Sequence, residues 1–309
     1  MKLNLILSSF LLSFGAAACI QTTTEQGTTE VTKEVNSEYE HSIKEWRKSR
    51  EQSLAKEDGW LTLVGLFWLS EGRNDFGSAE ENKIVFPKDK IAAHAGAFIL
   101  TDDEVLLETT TKTNIKIDSA DVERAIVYTS KMEQVPVMTH GALSWYIIKR
   151  GDKYGVRLRD VESKARKNFK GVEYYPIASS WKLNARLQLN PFPKQITITN
   201  VLGQTSQENS PGALVFTIAG KQHMLDVLEE GDQLFLIFAD KTNGTETYGA
   251  GRYLYVDKPG KDGKTIIDFN KATNPPCAFT SFATCPLPPK QNFLAIKIPA
   301  GEKAYEAVH

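Results

Sequence analysis

The sequence predicts a mainly β fold, an antiparallel β-sandwich or partly open barrel that follows one N-terminal helix. Short alternating apolar segments recur from residue 72 towards the C-terminus, and Gly, Asp or Asn residues separate them. Such segments at regular spacing, without long helices between them, are typical of sandwiches and barrels. A helical spacing of apolar residues is found at residues 39–56.

Residues 1–18 are predicted to be a signal peptide. Lys2 gives a short positive region, residues 3–14 are apolar, and three alanines at 16–18 form a small-residue cleavage site. The apolar segment is too short for a permanent membrane-spanning helix. Because Cys19 follows the alanines, the segment resembles a bacterial lipoprotein signal, in which this cysteine is lipidated and becomes the mature N-terminus. The alternative is an ordinary secretory signal with an incidental cysteine.

Residues 19–38 are predicted to be the lipidated cysteine and a disordered tether. The segment is rich in Thr, Glu and Gln and has almost nothing apolar to bury. Residue 20 is Ile, not the aspartate that retains some lipoproteins at the inner membrane. We therefore expect a lipid-anchored protein of the bacterial cell envelope, at the outer membrane and facing the periplasm. The membrane is then a partner through the anchor.

The remaining residues, 39–309, are enough for a single β-rich domain, with a division into 39–140 and 141–309 as the alternative. The chain has 37 basic and 38 acidic residues. A nucleic-acid-binding protein needs a net basic surface, so nucleic acid is not expected as a partner. The sequence predicts no cofactor.

The first folded elements are a helix and an apolar segment. The residues at helical spacing are Tyr39, Ile43, Trp46, Arg50 and Leu54, and Asp58-Gly59 ends the helix. Residues 60–72 predict a buried strand or helical turn. Their aromatic side chains, including Trp60, favour a core over a ligand site, because aromatic residues bury the largest area.

Residues 72–107 predict short strands and turns, and residues 72–100 resemble the forkhead-associated phosphopeptide-binding fold. The resemblance is carried by Gly77, Asn82, Ile84, Pro87, Ile91, His94 and Ala95. It implies a related β-sandwich. It does not imply phosphothreonine binding, because Ser78, Ala92 and Ala93 stand where that family places its phosphate-binding Arg and Ser. His94 is expected to be a structural, hydrogen-bonded histidine.

Residues 142–160 predict a β-hairpin with a Gly-Asp dipeptide at its turn. Alternation places the apolar residues of the second strand on one face and Arg157 and Arg159 on the other. With Arg150 and Arg166 nearby, this is a candidate anion-binding face. The alternative is a solvated face whose arginines pair with local acids such as Asp160 and Glu162.

Further strands are predicted along the second half of the chain. Residues 195–204 form a β-branched strand, and the meander that follows contains segments 213–220, 222–229, 232–240 and 252–257. Residues 292–303 predict one more alternating strand.

The stretch from residue 240 to 289 carries the most particular chemistry. It holds two of the three cysteines, several prolines, and the pair Gly249 and Gly251. Glycine at the start of a strand is typical of a bulge or of close approach by a ligand. Arg252 would hold a carboxylate or phosphate with its planar fork, or form a structural ion pair with Asp240, Glu246 or Asp268. The candidate ligand-binding residues are Arg252, Tyr248, Asp240, Glu246, Asp268 and Asn270.

Cys277 and Cys285 lie in a proline-rich segment that predicts an ordered irregular loop. Two nearby cysteines in an exported protein indicate a disulfide. The alternatives are a metal site with His223 or His309, a nucleophilic thiol, and two unreactive thiols. The C-x7-C spacing is not that of a usual zinc site, and no metal is predicted.

Several motifs together resemble those of a bacterial family known as domain of unknown function 1684. They are W-R-x-x-R at 46–50, D-G-W-L-x-L-x-G-L-x-W-L at 58–69, ETYGAGRYLY at 246–255, the segment 268–289 and AGEK at 300–303. The resemblance covers the chain after the tether and implies an exported, lipoprotein-type member with one continuous domain. It implies no reaction and no catalytic residues.

Two classes of function follow. The first is binding of a small or anionic ligand near residues 240–289 at the cell envelope. The second is a hydrolase or transferase that uses Asp240, Glu246 or Asp268 as acid or base and Arg252 to stabilise an anion. Carboxylates beside an arginine usually have lowered pKa values, which suits an ion pair better than a general acid. Binding is therefore the preferred hypothesis, and whether the protein is an enzyme stays open.

Overall fold

Three largely antiparallel sheets dominate the fold, with 46% of the residues in strands, which confirms the predicted mainly β fold. The computed structural model describes residues 25–110 and 113–305. The predicted signal peptide and Cys19 lie outside the described residues. The chain divides into two compact units, residues 1–41 and 42–309, and all three sheets lie in the second.

One long helix, α1 (Glu25–Ala55), precedes the sheets. It begins earlier than Tyr39, so part of the segment predicted as disordered tether is helical in the structure. Glu, Gln and Lys are good helix formers and extend a helix without apolar residues. Beyond residue 42 the helix buries Ile43 and Leu54, as their spacing predicts. Among the described residues, no helix is both long and apolar enough to cross a membrane.

The first half of the chain forms a β-sandwich. Its strands are β1 (Leu63–Trp68), β2 (Gly72–Gly77), β3 (Ile84–Val85), β4 (Gly96–Thr101), β5 (Glu104–Thr109), β6 (Lys116–Ile117), β7 (Ala120–Asp121), β8 (Arg124–Tyr128), β9 (Met138–His140), β10 (Leu143–Arg150) and β11 (Lys153–Asp160). A six-stranded sheet has the order β1-β11-β10-β9-β6-β7, and a five-stranded sheet the order β3-β2-β4-β5-β8. Buried aromatic residues join them, with the rings of Phe86 and Trp145 5.2 Å apart.

Within this sandwich the predicted hairpin is confirmed, and the division at residue 140 is not followed. Strands β10 and β11 pair in register from Leu143↔Asp160 to Arg150↔Lys153, and β11 also pairs with β1. The hairpin belongs to the first sheet because its apolar face covers the same core. His94 is structural as expected, with Nδ1 3.3 Å from the side-chain oxygen of Asn82.

The second half of the chain forms a nearly closed, barrel-like sheet. After the short helix α2 (Lys164–Lys167) its strands are β12 (Lys182–Thr199), β13 (Thr205–Ile218), β14 (Lys221–Glu230), β15 (Gln233–Asp240), β16 (Arg252–Asp257), β17 (Lys264–Asp268) and β18 (Phe293–Leu294). The order is β16-β15-β14-β13-β12-β17, and β18 lies beside β15. The enclosed core includes Phe216, Leu236, Phe238, Leu254 and Phe269.

The C-terminal strand prediction is largely wrong, since only β18 forms within residues 292–303. The carbonyls of Ile298 and Ala300 accept hydrogen bonds from the Arg252 side chain instead of a neighbouring strand, and Pro299 has no N–H to donate. The segment before it is an irregular loop with short turns at Phe269–Lys271 and Pro276–Ala278, as predicted.

Candidate functional site

Alternation along β15 and β16 gives the barrel-like sheet two different faces. Leu236, Phe238 and Leu254 point into the enclosed core. Their neighbours Phe235 and Tyr253 lie in a second apolar cluster on the opposite, outer face, together with Ile237 and Cys285 of the irregular loop. Because side chains along a strand alternate between the faces, Arg252 lies on the inner face, next to Tyr253 on the outer one.

Arg252 is fully buried in an ion pair with Asp240. Its Nη1 donates to the carbonyl of Ala300 at 2.6 Å and its Nη2 to that of Ile298 at 3.0 Å. Asp240 also accepts hydrogen bonds from the amide and hydroxyl of Thr242 at 2.8 and 2.7 Å. Burial lowers the pKa of Arg252, and Asp240 opposes this shift. Arg252 therefore forms a structural ion pair with Asp240, which was the alternative to ligand binding.

The other predicted residues also have contacts within the fold. Asp268 accepts hydrogen bonds from the amide and side chain of Asn270, both at 3.0 Å. Glu246 accepts from the Tyr175 hydroxyl at 2.8 Å and from Lys297 at 2.7 Å, and the bond from Lys297 lowers the pKa of Glu246. These contacts give the carboxylates structural roles, and nothing in their geometry favours acid–base chemistry.

Tyr248, the last of the six candidates, is half-buried and packs in an apolar cluster with Leu61 and Phe279. Burial raises the pKa of its hydroxyl. The outer face of the sheet carries a cavity, and neither Tyr248 nor any of the other five candidates lines it.

A cavity of about 430 Å³, here called the arginine cavity, lies on this outer face. Strands β15 and β16 contribute three aromatic residues, Phe235, Tyr253 and Tyr255. The irregular loop contributes Thr273, Asn274, Pro276, Thr284, Cys285 and Pro286. The remaining lining residues are Arg50, Trp60, Arg150, Arg157 and Glu230. A second cavity of about 400 Å³ shares Arg150, Phe235, Thr284 and Pro286 with it, so the two are contiguous. The site thus lies where the six-stranded sheet meets the barrel-like sheet.

Arg157 is the most unusual residue of this cavity. Only 5% of it is exposed, and among the described residues no carboxylate forms an ion pair with it. Its hydrogen bonds to the Tyr146 and Thr284 hydroxyls are both 3.5 Å long, and its Nε has no partner. The guanidinium lies 5.6 Å from the Trp60 ring, a weak cation–π contact. A buried cation without a counter-ion is costly.

Arg150 adds a second uncompensated charge. Its Nε donates to the Thr284 hydroxyl at 3.1 Å and its Nη1 to the carbonyl of Lys149 at 2.8 Å, and no carboxylate of the described chain pairs with it. Partial burial and then the neighbouring Arg157 lower the pKa of Arg150. Arg50 differs, because it binds the fully buried Glu302 at 2.9 Å. Arg150 and Arg157 are therefore the two arginines of the cavity that form no ion pair with a carboxylate of the described chain.

The alternative for the arginine face, pairing with Asp160 and Glu162, is not found. Both carboxylates bind Lys90, at 2.6 and 3.0 Å. Arg166 donates to the carbonyls of Ala55 and Val161, both at 2.7 Å, and is structural. Arg159 donates to the Tyr146 hydroxyl at 3.4 Å and does not line the arginine cavity. Of the four arginines of the predicted face, Arg150 and Arg157 line this cavity and remain the candidates for anion binding.

Cys277 and Cys285 are free thiols in the structure, and Cys285 lines the arginine cavity. The amide of Cys277 donates to the Cys285 sulfur at 3.0 Å. A hydrogen bond from Cys285 lowers the pKa of Cys277, and the charge of Arg157 contributes to this shift. The hydrogen bond with Cys277 and burial raise the pKa of Cys285. The predicted disulfide is not formed in the structure and stays a prediction.

The metal alternative gains no support from the described residues. No cluster of three His, Cys, Asp or Glu side chains among them could hold a metal ion. His223 instead stacks on the ring of Phe216, with 6.0 Å between ring centres, and His309 lies outside the described residues.

Sequence reasoning missed part of this site. It assigned Trp60 to the core and Arg50 to the apolar side of a helix, and it singled out Arg252 rather than the two tyrosines beside it. The alternation in RYLYVD at 252–257 was the available signal, since it places Tyr253 and Tyr255 on the face opposite Arg252.

Comparisons with known proteins give a family and no activity. Residues 167–303 match the model of a family described as "Protein of unknown function (DUF1684)", which confirms the predicted membership over that segment. The chain is similar to the solution NMR structure of an uncharacterized protein of Haloarcula marismortui, with 28% identity over 45% of this chain and 78% of that one and a TM-score of 0.38. No curated protein matches the chain.

Proposed function

We propose that this chain, whose residues 167–303 belong to the DUF1684 family, binds a small organic anion in the arginine cavity. The observation that carries the proposal is Arg157, a buried guanidinium that pairs with no carboxylate of residues 25–110 and 113–305. A carboxylate or phosphate group of the ligand would supply the missing counter-charge, because both present oxygen atoms that match the planar guanidinium fork.

The rest of the cavity fits an organic molecule rather than a bare ion. Trp60, Phe235 and Tyr253 offer apolar and aromatic surface beside the two arginines. Asn274 is 1% exposed, and its side-chain oxygen has no partner in the structure. A ligand that donates a hydrogen bond would satisfy this oxygen, and buried polar groups are normally satisfied.

Isothermal titration with benzoate and phenyl phosphate tests this proposal. Arg150→Gln removes an exposed guanidinium at the mouth of the cavity and is expected to weaken binding of both probes about tenfold, the usual effect of losing one charged hydrogen bond. Arg124→Gln is the matched control, because Arg124 is an exposed arginine on β8 in the five-stranded sheet. The proposal fails if neither probe binds the unmodified protein, or if both variants bind as it does.

We also propose that the protein is exported and lipidated at Cys19, and that Cys277 and Cys285 form a disulfide in the oxidising periplasm. The signal-like residues 1–19 and the hydrogen bond between the two cysteines support this. The intact mass of protein purified from bacterial membranes should show the added mass of acyl chains. Thiol labelling with and without reductant should modify Cys277 and Cys285 only after reduction. A chain that keeps residues 1–18 would contradict lipidation at Cys19. Thiols that are labelled without reductant would contradict the disulfide.

A further inference from the structure

We infer that the ligand is dipolar, with an acidic group at one end and an ammonium group at the other, as in a short peptide with free termini. The inference rests on the proposed function and specifies the chemistry of its ligand. Its basis is an acidic extension of the arginine cavity along the same face of the barrel-like sheet.

The acidic extension is a cavity of about 480 Å³ that contains three glutamates. It is lined by Glu208, Asn209, Leu228, Glu229, Glu230 and Phe235. Glu230 and Phe235 also line the arginine cavity, so one groove continues from the guanidinium groups to the carboxylates.

Strand register explains why the acidic and aromatic side chains share a face. On β15, Phe235 lies opposite Leu228 of β14 on one side and Tyr255 of β16 on the other. Glu230 is two residues from Leu228 and therefore lies on the same face. Glu208 of β13 lies opposite Ile196, which packs with Phe235 in the outer apolar cluster.

Two of the three glutamates have no cationic partner among the described residues. Glu229 pairs with Lys258 at 3.1 Å. Glu230 accepts a hydrogen bond from the Tyr255 hydroxyl at 3.2 Å, and no ion pair is formed by Glu208 or Glu230. Neither of them reaches Arg150 or Arg157, so the groove keeps uncompensated charges of both signs.

The carboxylates alone would not indicate a ligand, because exposed acids are well solvated. The second observation is the buried and uncompensated Arg157 in the same groove. Between the two ends, the rings of Phe235 and Tyr255 stack at 4.8 Å with 21° between their planes. Aromatic faces next to carboxylates are a favourable surrounding for an ammonium group. A dipolar molecule would satisfy both ends, whereas a simple anion would satisfy one.

The experiment compares three tripeptides of equal length by isothermal titration: trialanine, N-acetyl-trialanine and trialanine amide. Trialanine keeps both charges, the acetylated peptide only the carboxylate, and the amide only the ammonium. We expect trialanine to bind at least about tenfold more tightly than either derivative, since each end adds one charged interaction. In the double variant Glu208→Gln/Glu230→Gln, trialanine and N-acetyl-trialanine should bind with about equal affinity. In the control variant Glu123→Gln, which changes an exposed glutamate, trialanine should still bind more tightly than N-acetyl-trialanine.

The outcomes separate the two proposals. If the acetylated peptide binds as tightly as trialanine, or if the double variant keeps the preference, the dipolar inference is overturned while anion binding stands. If neither benzoate nor phenyl phosphate binds the unmodified protein, anion binding is overturned, and the dipolar inference with it.

Discussion

Asp240→Ala is expected to lower the free energy of unfolding by about 3–5 kcal/mol, the usual effect of removing one partner from a buried ion pair. The variant leaves the fully buried Arg252 without its counter-charge. It also removes the acceptor of the Thr242 amide and one of the two hydrogen-bond partners of the Thr242 hydroxyl. Urea denaturation followed by tryptophan fluorescence measures the change.

Glu108→Ala is the control for this experiment, because Glu108 forms only exposed ion pairs, such as that with Arg73 at 3.2 Å. Exposed pairs contribute about 0–1 kcal/mol, so little change is expected. If Asp240→Ala does not fold, Asp240→Asn gives the comparison, since it keeps one acceptor oxygen for Thr242 and loses the charge and the acceptor that faces Arg252. A cost for both Asp240 variants no larger than that of Glu108→Ala would refute the structural role of the pair.

Arg157→Met is expected to have opposite effects on stability and on binding. Methionine fills a similar volume without a charge, so the free energy of unfolding should rise by about 1–3 kcal/mol, as when buried ionic groups are replaced by apolar ones. Binding of benzoate should weaken by more than about tenfold, because the charge that holds the anion is lost. Urea denaturation and isothermal titration on the same protein measure the two effects.

Arg166→Met is the matched control for stability. Arg166 donates two short hydrogen bonds to backbone carbonyls, and its loss should destabilise the fold. Arg157 makes only long hydrogen bonds, both 3.5 Å. If Arg157→Met destabilised the protein as much as Arg166→Met, Arg157 would serve the fold and not a ligand.

Much of the β structure could be predicted because each strand carries its own pattern. The hairpin of β10 and β11 and the meander from β13 to β16 follow from alternation and turn residues. The C-terminal strand was predicted by the same rule and is mostly absent. Its backbone carbonyls are used by Arg252, a contact between residues 252 and 298–300 that no local pattern indicates.

Arg252, singled out from the sequence, and the cavity-lining Tyr253 and Tyr255 lie in the same stretch of chain but on opposite faces of the sheet. Charged residues among apolar neighbours drew attention to Arg252, yet such residues are often buried pairs. The arginine cavity combines α1, β10, β11, β15, β16 and the irregular loop, which are far apart in sequence. What makes Arg157 distinctive is a missing partner, and the absence of a contact can be seen only in three dimensions.

The most direct test of anion binding in the arginine cavity is a crystal structure of the protein grown with 4-bromobenzoate. We expect an anomalous bromine peak beside Phe235 and Tyr253, with the carboxylate within hydrogen-bonding distance of the guanidinium groups of Arg150 and Arg157. The crystals are grown at a concentration of 4-bromobenzoate that saturates binding in solution. If the arginine cavity does not contain the compound in these crystals, anion binding in the cavity is contradicted.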